Sequence, residues 1–128
     1  MYDRLSMSMT TGIGPPYTVR RLAVDAYCLQ HPDRYCVSAK SLAAHLTGLC
    51  WAVEFGGGES GLKSLQAWLN GRVDLIKPPL PASFGRLTIA EVEPTIPSID
   101  RWAHSVWDAY SGLRETARAW VRQVAGQA

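Results

Sequence analysis

The sequence predicts an all-α fold, a compact bundle of about four main helices in which a proline-rich connection holding one short helix precedes a long last helix. Three observations carry the expectation. Apolar residues recur at spacings of three and four in four separate segments, the period of a helix with one buried face. Residues that start and stop helices stand at the ends of those segments. Five of the eight prolines lie between Pro78 and Pro97, which marks that stretch as an irregular tether.

Residues 1–16 read as an extended lead-in closed by Gly12, Gly14, Pro15 and Pro16, and residues 17–128 as one helical domain. The first helix runs from Tyr17 to about Gln30, with Val19, Leu22, Ala26 and Leu29 on one face and Val24 and Tyr27 widening it. Pro32 disfavours helical geometry at His31 and stops it. Ser38 is the expected N-cap of a second helix through Leu42, Leu46, Leu49 and Val53, ended by Gly56, Gly57 and Gly58. Ser60 caps a third, through Leu62, Leu65, Trp68 and Leu69, that closes at Asn70-Gly71. In the tether, Thr88 and Glu91 form a capping box with Leu87 and Val92 as its staple, so a turn or two of helix is expected at Ile89–Glu93. Capped by Ser98, the last helix carries Ile99, Ala103, Val106, Tyr110, Leu113, Ala117, Trp120 and Val124 in unbroken four-three alternation. Gly112 costs about 1 kcal/mol of helix propensity against alanine there and marks a bend.

Composition narrows the function classes. The 128 residues are 47% hydrophobic and 19% charged, which excludes disorder, and a net charge of +2 lacks the concentrated positive field of nucleic-acid binding. Arg114, Arg118 and Arg122 make one basic stripe, but Glu115 among them favours a solvated face, so nucleic acid is not the expected partner. No run approaches the 18 apolar residues of a membrane span, and the first residues lack a signal-peptide core. Cys28, Cys36 and Cys50 show no close C-x-x-C spacing, as suits a reducing cytoplasm. Cys28 and Cys50 read as small core residues.

Side chains able to carry chemistry are few. Asp25 interrupts an apolar helix and has two open readings. It either pairs with Arg21 one turn earlier, or points inward, where a buried carboxylate needs His31, His45 or a metal as partner. His31 is either a helix-end cap or a ligand, and His45 is either a core-edge histidine or an inward ligand or proton carrier. Ser41, Gly48 and Ala52 are small neighbours on its face and let another helix approach closely. Asp100, His104 and Asp108 form a ladder on one helix face, read as solvated ion pairs. Gly56 to Gly61 fits G-x-G-x-x-G but follows a helix, so dinucleotide binding is rejected.

Leu22 to Pro32 resembles a family of small bacterial proteins, without an assigned function, that carry a V-D-A-Y-x-x-Q-H-P signature. Val24, Asp25, Ala26, Tyr27, Gln30, His31 and Pro32 match it, and the likeness continues through Ser41, His45, Leu46 and Trp102 to Trp107. Family members often begin with a cysteine-rich, metal-binding-like segment that has no counterpart before Pro16, and carry histidines where Arg20 stands and near Leu113 and Arg114. The resemblance therefore strengthens a site at Asp25, His31 and His45 and weakens its metal version.

Two functions are expected from these readings. The leading one is a binding or accessory protein, a homo-oligomer or subunit of a larger assembly, whose interface is Trp102, Val106, Trp107, Tyr110, Leu113 and Trp120. The rival is a small helical enzyme, assisted by a divalent metal, in which Asp25, His31 and His45 act as catalytic or metal-binding groups while Tyr27 and Gln30 orient the substrate.

Overall fold

The computed structural model describes residues 17–71, 74–85 and 88–124, which contain six α-helices and two single 3-10 turns and no strand. The lead-in expected over residues 1–16 and the staple residue Leu87 lie outside the described residues. Helix α1 spans Tyr17–Gln30, α2 Pro32–Tyr35, α3 Ala39–Glu54, α4 Glu59–Asn70, α5 Ile96–Ala109 and α6 Arg114–Val124.

Helix α1 has the expected bounds, but Pro32 does more than end it. The chain turns at His31 and Pro32 opens the one-turn helix α2, because its fixed φ and missing N–H suit a first turn. Ser38 caps α3 as expected, through a reciprocal box in which its hydroxyl accepts from the Ser41 amide and the Ser41 hydroxyl accepts from the Ser38 amide. At the other end the Gly57 amide reaches back to the Trp51 carbonyl, with Gly56 and Gly57 both at positive φ. Helix α4 begins at Glu59 from a Gly58 cap, so Ser60 lies inside the first turn instead of before it.

The last helix departs most from expectation. Thr95, not Ser98, is its cap: the Thr95 hydroxyl accepts from the Ser98 amide and Pro97 sits in the first turn. The Ser98 hydroxyl instead accepts from the Glu93 amide at 3.0 Å and holds the preceding loop. The expected single rod is broken at Tyr110, where Ser111–Leu113 form a 3-10 turn before α6, around the glycine that marked a bend. In the tether, the expected one or two helical turns reduce to a 3-10 turn at Ile89–Glu91. Thr88 spends its hydroxyl on the Glu91 carboxylate instead of on a backbone amide.

Helix α3 is central. It packs against α1, α4, α5 and α6, and α1 also packs on α5. Leu42, Leu46, Leu49, Leu29, Ile99, Val106 and Val121 are fully buried, and Trp102 and Tyr110 are the largest of the fully buried side chains. Aromatic side chains of this size each bury about 150–250 Å² and dominate the apolar contribution.

The residues expected to form an outer interface must be reassigned. Trp102, Val106, Trp107, Tyr110, Leu113 and Trp120 are each at most 8% exposed, covered by helices of their own chain. The break after Tyr110 is the physical reason: it folds α6 back against α3 and α4, and the seam closes internally.

Candidate functional site

Asp25 is the one charged residue among those described that has no exposure. Burying a carboxylate costs several kcal/mol unless charge and hydrogen bonds compensate. Arg21, one turn earlier on α1, provides both: its Nε lies 3.1 Å from Asp25 Oδ1 and 3.2 Å from Oδ2, and its Nη2 donates to the Ala44 carbonyl of α3 at 3.3 Å. His45 Nδ1 lies 3.0 Å from Asp25 Oδ1. The two open readings of Asp25 are therefore both realised, since it pairs with Arg21 and also points inward to His45.

Gly48 makes the space. A Cβ at that position would overlap Asp25 Oδ2 and stand 2.9 Å from Cγ, so the helix crossing leaves room for the carboxylate only where α3 has no side chain. Burial alone would lower the His45 pKa, but the hydrogen bond and charge of Asp25, with Cys28 adding to them, outweigh it and push the value up to about 9. At neutral pH His45 is an imidazolium whose Nδ1–H donates to Asp25. Arg21 follows the same balance: burial opposes its charge, and the charge and hydrogen bond of Asp25 raise its pKa in net.

His31 stands apart from this cluster. Its ring lies 4.5 Å from that of Tyr27, which in turn is 5.9 Å from the Tyr35 ring, and its amide donates to the Cys28 carbonyl. Gln30 is occupied within the fold: Oε1 accepts from Trp102 Nε1 and Nε2 donates to the Phe84 carbonyl, both at 2.9 Å. Gly85 follows at φ +108°, where a Cβ would meet Gln30 Nε2 at 3.1 Å and Ser105 Oγ at 3.2 Å. Among the described residues no group of three or more His, Cys, Asp and Glu side chains could hold a metal ion.

The family of unknown function DUF5946 matches residues 1–111. The chain belongs to that family. No curated protein and no solved structure matches it. The DUF5946 match carries no activity with it, so a functional reading rests on the geometry of the chain itself.

The other candidate groups of this DUF5946 chain are tied up or exposed. His104 Nδ1 donates to the Asp100 carbonyl, 2.9 Å away, on an open helix face. Arg114 pairs with Asp108 at 2.8 Å and lies over the Trp107 ring, while Arg118 binds Glu54 and Glu115. Two arginines of the basic stripe are thus engaged with carboxylates. Among the described residues no helix is long and apolar enough to cross a membrane.

Cys28, read from the sequence as a small core residue, is buried in the fold on the same face of α1 as Asp25, three residues further on.

Proposed function

We propose that this chain is a small helical binding or accessory protein, and that its contact surface lies at the α2–α3 corner. The observation that supports this is the clustering of exposed apolar residues there. Tyr35, Val37 and Ile76 are 39%, 65% and 90% exposed, around a groove of about 460 Å³ lined by Ser38, Ala39, Lys40, Asp74, Leu75 and Ile76. The Lys77 ammonium donates to the Val37 carbonyl at 2.9 Å and ties the two segments into one edge. Apolar side chains gathered on one edge of a fold are the usual core of a protein contact.

Charge reversal of the apolar centre tests this. The Val37→Asp/Ile76→Asp variant keeps the helical circular dichroism of the parent and loses a partner, or self-association, that the parent shows by light scattering and quantitative pull-down. Identical assembly and captured proteins for both chains would overturn the proposal.

A second reading, acid–base chemistry at Asp25 and His45, is favoured by their 3.0 Å contact and by the 20% exposure of the His45 side chain. With its pKa pushed up to about 9, His45 suits proton donation, whereas a general base or metal ligand uses the neutral ring. An NMR titration of His45 distinguishes these roles. A midpoint near 9 supports the donor, and a midpoint at or below the ordinary 6.5 restores the base or ligand.

A further inference from the structure

We propose that residues 74–83 present a polyproline II ridge, and that the partner at the α2–α3 corner is a protein with an aromatic-lined groove that accepts such a helix. The inference rests on the contact surface proposed above and names the chemistry of what covers it.

Covalent geometry sets the shape of the segment. Pro78, Pro79 and Pro81 each hold φ at about −65°. Lys77, Pro78 and Leu80 each precede a proline, which pushes their ψ to extended values. Among the described residues no peptide bond is cis and no residue other than glycine has a positive φ, and residues 74–85 form neither helix nor strand. The chain from Lys77 to Pro81 is therefore pre-set for polyproline II, in which every third residue shares an edge.

Burial follows that period of three. Leu75, Pro78 and Pro81 are half-buried, and Leu75 packs on the core together with Leu80 and Phe84. Ile76, Pro79 and Ala82 are exposed, Ile76 to 90%. One edge thus seats the segment on its own fold, and the next leaves an apolar ridge with Pro79 at its centre. At the rise of this helix the ridge is about 19 Å long. Asp74 and Lys77 lie on the remaining edge with opposite charges, so the segment offers a partner apolar surface and no net field for a polyanion.

The ridge is also held in place before any partner arrives. Lys77 Nζ donates to the Val37 carbonyl and Gln30 Nε2 to the Phe84 carbonyl, both at 2.9 Å. Docking a segment that is already ordered costs little conformational entropy, which is the advantage that aromatic-lined grooves draw from polyproline II ligands.

The test uses the full chain, immobilised, with a lysate of its host and deca-L-proline as the polyproline II probe. A protein captured by the parent and lost by Val37→Asp/Ile76→Asp is expected to be released at least five-fold more by deca-L-proline than by a Gly-Ser peptide of equal length. Pro79→Gly/Ala82→Asp, checked for its fold by circular dichroism, should capture at least five-fold less of that protein. Capture that deca-L-proline leaves in place, or that the ridge variant retains, would overturn this inference and leave the corner contact standing. The same holds if only a second copy of the chain is held there. If charge reversal at Val37 and Ile76 releases nothing, both readings fall.

Discussion

The Asp25 carboxylate occupies the volume that a side chain at position 48 would fill, so α1 and α3 cross where one contributes a charge and the other only a hydrogen. Gly48→Ala is therefore expected to be far from conservative. Its methyl group must displace Asp25 from Arg21 and His45, at a cost of about 2–4 kcal/mol from overpacking and a weakened buried ion pair. Alanine at this site would raise helix propensity by about 1 kcal/mol if nothing stood opposite. Urea denaturation decides the sign: a variant as stable as the parent would contradict the packing described.

Removing the charge tests the same cluster from the other side. Asp25→Ala leaves Arg21 and His45 facing each other without their shared acceptor, and a loss of about 3 kcal/mol is expected. The His45 titration midpoint should fall from about 9 to below 6.5 in that variant, because burial then acts without the opposing carboxylate. The NMR shift of the His45 ring reads this directly.

Stability should decline as pH rises through the neutral range. His45 has a higher pKa folded than unfolded, so its contribution is complete below about 6.5 and is lost as pH approaches 9. The full swing is about 3 kcal/mol. Cys36 and Cys50, whose folded values are also raised, add to the decline only above their ordinary value of 9.0, where unfolded thiols ionise. Denaturation midpoints measured from pH 6 to 9 should fall for the parent and stay nearly level for His45→Gln.

Gln30→Leu removes the amide that binds both Trp102 and Phe84. Trp102 Nε1 and the Phe84 carbonyl lose these part-buried bonds, and a polar group left unpaired and shielded from water costs about 1–3 kcal/mol. Hydrogen exchange should show faster opening around Phe84 and Gly85 than in α4, which the substitution does not touch. Uniform acceleration across all helices would instead mean that the amide supports the whole bundle equally.

The fold was largely legible because its signals are local. The spacing of Leu22, Ala26 and Leu29 and the Ser38 cap depend only on neighbours along the chain, and both delimit helices where expected. The Tyr110–Leu113 break was half legible, since Gly112 marked the place while the unbroken apolar spacing suggested continuity. That spacing records burial along both pieces and is silent on the direction of the second. The site was legible only by halves for a related reason. Arg21 and Asp25 share a turn, but the partnership of Asp25 with His45 spans 20 residues and depends on how α1 crosses α3. Tyr27, Gln30 and His31 stand out as a group in the sequence, yet the fold sends Gln30 to Trp102 and Phe84 and sets His31 against Tyr27.

The interruption between α5 and α6 also fixes a phase. Each residue of an α-helix turns the next by about 100°, so deleting Gly112 would rotate α6 by roughly that angle about its own axis. Ala117, Trp120 and Val121, now facing inward, would swing toward solvent, and Arg118 would leave Glu54. Substitutions at this exposed glycine meet open space and should be tolerated, whereas a change of loop length by one residue should not. At this corner the chain is constrained in its count of residues more tightly than in their identity.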